Sequence, residues 1–185
     1  MTALYIVVAV LALVVLWAVV TYNGLVRARL KAGESWSGID VQLRRRHDLI
    51  PNLVETVKGY ATHERSTFDS VTEARAKAMA ATGPAEQSRA EASLTASLGG
   101  LRAIAEQYPE LRASDNFMAL QSQLTEIEDE IQAARRIYNS DVQLYNARIQ
   151  TFPSSIVAGA GRFAEREFFE IEDPAERAVP AVSFA

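Results

Sequence analysis

Cysteine is absent from this chain of 185 residues, which excludes a disulfide, a thiolate metal site, a cysteine nucleophile and acylation on cysteine. Histidine is nearly absent. His47 and His63 are the only two, and no second histidine follows His63-Glu64 at the spacing of the zinc-protease helix; both are expected on solvated surface. Glycine never assembles into a phosphate cradle, because Gly99-Gly100 runs into Leu101-Arg102 where a phosphate loop would end in Lys and Ser or Thr. A dinucleotide fingerprint and a Gly-x-Ser-x-Gly nucleophile elbow are also missing. Positive charge is not in excess either. A net charge of -4 argues against nucleic acid as a partner, since phosphate binding rests on clustered Lys and Arg. No nucleophile, acid and base converge, so the chain is expected to be no enzyme, with no catalytic residue, cofactor or metal.

What is present begins with a long apolar run. Ala3 to Val20 reads ALYIVVAVLALVVLWAVV without a charge, and Thr21 and Tyr22 extend it to ~20 residues, enough to span the ~30 Å hydrocarbon core of a bilayer. Trp17 and Tyr22 suit interfacial positions near its end. A cleaved signal peptide is the competing reading, but no Lys or Arg precedes the run, and it exceeds the usual core of about 7 to 15 residues. Residues 1–22 are therefore expected to be an uncleaved transmembrane anchor spanning about residues 3–22. Arg27, Arg29 and Lys31 follow directly, and basic residues stay on the cytoplasmic side. The expected topology is single-pass, N-terminus out, with the remainder in the cytoplasm. Trp17, Tyr22, Arg27, Arg29 and Lys31 then mark the membrane interface. The run Arg44-Arg45-Arg46 has two open readings: contact with anionic lipid headgroups, or a solvated face neutralised by Asp40 and Asp48.

Beyond Gly33 the apolar residues fall into a heptad rhythm. Trp36, Leu43, Ile50, Val57 and Val71 hold one position, and Ile39, Leu53, Tyr60 and Ala74 the other, which predicts one long helix or two in register. Pro51 predicts a kink within it, although Asp48 offers an alternative new start. Arg46 and Glu64 interrupt the stripe, either to meet partners on another helix or because the stripe rotates to expose them, the second reading being preferred. Gly83-Pro84 stops one helix and starts another. That next helix, with stripe Leu94, Leu98, Leu101, Ala105 and Tyr108, ends before Pro109. Ser114 and Asp115 cap a third helix reaching Gln150 or Phe152, striped by Phe117, Leu120, Leu124, Ile127, Ile131, Ala134, Tyr138, Val142, Tyr145, Ile149 and Phe152. This stripe is longer than the second helix can cover, so the surplus must meet membrane, tail or another subunit. After Pro153 small residues dominate, and Ile156, Val157, Gly159 and Gly161 are candidates for self-association by close backbone approach. The segment with Pro174 and Pro180 is expected to be a surface tail, with Phe184 docking on a neighbour. The fold class is all-α: an N-terminal transmembrane helix, an antiparallel up-and-down bundle over residues 23–153, and a small-residue segment and tail over 154–185.

Several runs carry a resemblance. Tyr22-Asn23-x-Leu25-Val26, Trp36-Ser37-x-Ile39-Asp40-Val41-Gln42-Leu43-Arg44-Arg45-Arg46, Asp48-Leu49-Ile50-Pro51-Asn52-Leu53-Val54 and Val57-Lys58-Gly59-Tyr60-Ala61-x-His63-Glu64 closely resemble the LemA family of bacterial membrane proteins. So do Tyr108-Pro109, Ala134-Arg135-x-x-Tyr138-Asn139, Tyr145-Asn146 and Phe152-Pro153. The resemblance extends from Tyr22 to Phe169 and is weak over Ser66 to Glu106. It implies a bacterial source, a membrane helix and a cytoplasmic helical bundle, and it brings no catalytic residues. Two functions are weighed: a scaffold at the cytoplasmic (inner) membrane that self-associates as a homo-oligomer, and an adaptor for a membrane protease or other membrane complex in envelope quality control. The expected partners are the lipid bilayer, further copies of the chain and another membrane protein.

Overall fold

The computed structural model describes residues 1–170, and among these it contains six helices and no strand. They are α1 (Thr2–Lys58), α2 (Arg65–Ala80), α3 (Pro84–Gln107), α4 (Pro109–Arg112), α5 (Asp115–Gln150) and α6 (Ser154–Ala160). The all-α architecture expected from periodicity is the one observed. The tail containing Pro174, Pro180 and Phe184 lies outside the described residues. Among the described residues, 1–39 and 134–167 form one compact unit, and 40–133 with 168–170 form a second. Both α1 and α5 contribute to each.

In the first unit, α1 opens with the charge-free run, whose most apolar stretch has a mean hydropathy of 3.0 and is 0% buried. It is long and apolar enough to cross a membrane. Each large apolar side chain left in water forgoes roughly 1.5–3 kcal/mol of burial, so this surface calls for an apolar medium. Burial begins abruptly at Leu25, and Leu25, Ala32 and Ile39 recur at heptad spacing on the covered face. Leu25 packs with Tyr145 and Ile149 of α5 and Ala158 of α6. α5 ends at Gln150, a turn containing a cis Phe152–Pro153 peptide follows, and α6 returns the chain toward Tyr22. Residues 162–167 then run without helix along α5.

The second unit has its own core. Ile50, Leu53, Val54 and Val57 of α1 meet Phe68, Val71 and Ala74 of α2, Leu94, Leu101 and Ile104 of α3, Leu111 of α4, and Phe117 and Leu120 of α5. Gly83 links α2 to α3 at φ +79°, a region that side-chain-bearing residues avoid, and Pro84 sets the first turn of α3. Of the two readings of the heptad rhythm, two helices in register is the one observed. The rhythm from Trp36 to Ala74 does not belong to a single helix: α1 stops at Lys58, and the Val57 carbonyl accepts the amides of both Tyr60 and Ala61 at 3.0 Å. Gly59 sits at this break, Tyr60 swings out, and Ala61 takes the buried place. The rhythm resumes in α2 because Val71 and Ala74 face the same core.

Pro51 does not restart the helix, since α1 continues through it. A proline lacks the amide that would bond the carbonyl four residues back, which here is that of His47. Arg75 of α2 takes the vacancy: its Nε donates to the His47 carbonyl at 2.6 Å. The gap in α1 thus becomes an attachment point for α2. Arg75→Ala is expected to cost about 1–3 kcal/mol, the cost of an unsatisfied buried acceptor. In a Pro51→Ala background, where a backbone amide again serves His47, the same change should cost clearly less, a coupling that a double-mutant cycle of denaturant unfolding measures.

Candidate functional site

Two clusters of polar side chains are built into the described residues, one in each unit. In the first unit, α5 holds the segment after α6 by three side chains that the resemblance had already singled out. The Tyr138 hydroxyl donates to the Glu167 carbonyl at 2.8 Å, and Tyr145 does the same to Ala164 at 2.8 Å. Asn146 pairs with the backbone of Arg166 in both directions, its amide donating to the carbonyl at 2.9 Å and its oxygen accepting the N–H at 2.9 Å. Residues 164–167 have no helix to satisfy their backbone, so α5 side chains do it. Tyr138 also meets Trp36 of α1, ring centroids 5.2 Å apart. Burial pushes the Tyr138 phenol up, partly offset by the nearby Arg166, so it remains a donor at neutral pH.

Asp141 sits one turn along from Tyr138 and is buried. It pairs with Lys31 of α1 at 2.7 Å and accepts from the Ser35 hydroxyl. Burial alone would raise its pKa, but the hydrogen bonds from Lys31 and Ser35 and the Lys31 charge outweigh this and hold the carboxyl below its ordinary value. Lys31, expected at the lipid interface, therefore also ties α1 to α5.

The second unit buries charge more deeply. The Glu91 side chain, 0% exposed, accepts from Arg46 at 3.1 Å, meets His47 Nε2 at 2.7 Å and accepts from Gln87 at 2.9 Å. Arg46 also donates to Thr95 at 2.7 Å and lies 3.5 Å from Glu128. Beside it opens a cavity of about 520 Å³, with Leu53, Leu98, Leu101, Phe117 and Leu124 on its apolar walls and Arg46, Arg102, Gln121, Glu128 and Asp129 at its polar ones. The polar side chains of the cluster are committed to one another. Among the described residues no group of three or more His, Asp or Glu is placed to hold a metal ion.

Arg44, Arg45 and Arg46, read together from sequence, separate in space. Arg44 pairs with Asp40 at 2.8 Å and Arg45 with Glu130 at 3.1 Å, both exposed. Arg46 is buried against Glu91, which corrects its assignment to lipid headgroups and the preference for an exposed, rotated stripe. His47 is likewise corrected, being buried with Arg46, whereas His63 is exposed. Glu91 was missed, although a signal existed: Gln87 and Glu91 continue the stripe of Leu94, Leu98 and Leu101 upstream at the same spacing, which offers the Arg46 of the other stripe an opposite charge. Trp17, Tyr22, Arg27 and Arg29 are all exposed, and Arg29 lies over the Phe163 ring at 5.3 Å. Of the small-residue candidates, Ile156 and Gly159 face outward. Val157 packs inside, and a Cβ on Gly161 would meet Phe163 at 2.6 Å and Tyr22 at 3.2 Å, so that glycine serves a contact within the chain.

Glu91→Ala is expected to lower stability by about 3–5 kcal/mol, because it strands the buried Arg46 charge, as read from urea unfolding. Asp141 acts at the acid limb. Its depressed pKa makes its contribution full above the ordinary aspartate value of about 3.9 and lost as pH falls through the lower folded value. Asp141→Asn should therefore be destabilised by about 1.5–3 kcal/mol at neutral pH and show a shallower loss of stability below about pH 4, measured by unfolding across pH.

A sequence profile of the LemA family matches residues 35–184. The chain is 27% identical over 180 residues to magnetosome protein MamQ 1 of Paramagnetospirillum magneticum, the match covering 83% of this chain and 66% of the relative. The figures for magnetosome protein MamQ of Magnetospirillum gryphiswaldense are the same, 27% over 180 residues with 83% and 66% covered. It is 29% identical over 140 residues to protein LemA of Metamycoplasma hominis, covering 74% of this chain and 63% of that one. The chain thus spans just under two thirds of the curated relatives it matches. With its exposed apolar helix and the profile match over most of its length, this chain is a membrane-associated member of the LemA family.

Proposed function

We propose that this chain is a non-enzymatic, single-pass scaffold of the bacterial cytoplasmic membrane that self-associates, with its N-terminus outside and its helical units in the cytoplasm. The observation that carries the reading is α1 itself, in which a wholly exposed apolar run passes without a break into a packed helix. Arg27, Arg29 and Lys31, just past the run, support the orientation. The buried polar clusters support a structural rather than a chemical role, since their groups satisfy each other and leave no free nucleophile and base in hydrogen-bond reach.

The basis for self-association shifts from that read in the sequence. The surplus stripe is largely covered: Tyr138, Val142, Tyr145 and Ile149 are buried within the chain, with α1, α6 and residues 164–167 contributing, while Phe152, past the end of α5, is exposed. Open on one flank of this seam are Ile137 and Leu144, 59% and 55% exposed at heptad spacing. A second copy meeting this face would bury both. The detergent-extracted protein is expected to measure larger than a monomer by mass, and Ile137→Glu with Leu144→Glu to reduce it to a monomer of unchanged helicity. A wild-type protein that is strictly monomeric would remove the proposal, and a different membrane protein recovered on this face would favour the adaptor role.

A further inference from the structure

The geometry points to a second membrane contact in the first unit: the turn between α5 and α6, with Phe152 and Ile156 entering the headgroup–acyl boundary beside the span and a basic collar above them. This rests on the reading of α1 as a membrane span. α1 and α5 run antiparallel in a one-for-one register. Lys31 meets Asp141, and Arg148 donates to the Gly24 carbonyl at 3.4 Å, so equal advances along the two helices keep them level. Continuing that register past Arg148 places Phe152 opposite Val20, inside the charge-free run rather than beyond it. α6 is held at the same height, because Gly161 lies against Tyr22 and Phe163 packs edge-on to Tyr22 at 5.4 Å between ring centroids.

The side chains at this level suit lipid rather than water. Phe152 is 77% exposed and Ile156 62% exposed, and Pro153, Gly159 and Ala160 beside them are exposed without charge. The first charges on this side are the Glu165 carboxylate, held by Gln150 at 2.7 Å, and the cations Arg148 and Arg162, which with Arg27 and Arg29 outnumber it and have no carboxylate partner among the described residues. An apolar tip below guanidinium groups that no carboxylate neutralises is the arrangement by which interfacial elements bind anionic membranes. The bilayer already entered by α1 is the occupant, since the patch is continuous with the span. With two contacts on one unit, α1 is fixed against tilt and rotation about its own axis.

The absence of cysteine makes the test direct. Single-cysteine variants Phe152→Cys, Ile156→Cys, Gln143→Cys and Leu11→Cys of the full chain are labelled with an environment-sensitive fluorophore and placed in phosphatidylcholine vesicles with or without phosphatidylglycerol. Labels at positions 152 and 156 are expected to shift to the blue and to lose emission several-fold to an acyl-chain nitroxide located near the headgroup, more strongly with phosphatidylglycerol. The label at 143 should stay water-like and that at 11 should be quenched by a deep nitroxide. Water-like labels at 152 and 156 with a lipid-quenched label at 11 would overturn the inference and leave the span standing; an unquenched label at 11 would overturn both. Shielding at 152 and 156 that no lipid nitroxide quenches would assign the patch to protein and also overturn it.

Discussion

The structure depends on the absence of any break in α1 between Thr2 and Lys58. A helix satisfies its own backbone, so it can lie in hydrocarbon or in water alike, but its side chains cannot do both on the same surface. At Tyr22 to Leu25 the helix changes from exposed on all sides to covered on one. Beyond that point the other elements are arranged to cover that stripe. α5 supplies the long apolar seam, and the segment after α6 is clamped along α5 by Tyr138, Tyr145 and Asn146. The residues that carry the family resemblance are explained by this need: several of them hold backbone that has no helix of its own.

Charge inside the units supplies register as well as stability. Two apolar helices slide past one another at little cost, whereas a buried carboxylate has one acceptable position opposite its cation. Glu91 against Arg46 fixes α3 on α1, and Asp141 against Lys31 fixes α5 on α1. Arg75 on the His47 carbonyl does the same for α2 by using the bond that Pro51 cannot make. A proline that reads as a local defect in one helix is, in three dimensions, the site at which another helix is attached.

The helix boundaries were largely legible in the sequence because backbone chemistry is local. Pro84 and Asp115 open α3 and α5 where proline geometry and capping place them, and the seam of α5 was readable from Phe117 to Ile149; the short α4 after Pro109 was not expected, and Phe152, expected in the seam, lies beyond the end of α5 and is exposed. The end of α1 was not, because Val71 and Ala74 continue its heptad after a break and periodicity does not register a gap that preserves phase. Arg46 was visible as an interruption, yet its partner lies in another helix, in a stretch of weak resemblance. Val157 and Gly161 looked free for a neighbour, and only the path of α6 shows that the chain uses them itself.

By itself the sequence determined the elements and the medium of the first: which segments are helical, where most of them stop, and that residues 3 to 20 belong in an apolar environment. These follow from side-chain periodicity, proline and glycine geometry and transfer free energy, all of which act on a residue and its near neighbours. Only the tertiary structure decided which charges are buried, which apolar stripe is already covered and which small residues are spent on contacts within the chain. Those outcomes depend on pairs such as Arg46 and Glu91 or Tyr22 and Gly161, whose meeting is set by packing and not by any property either residue carries alone.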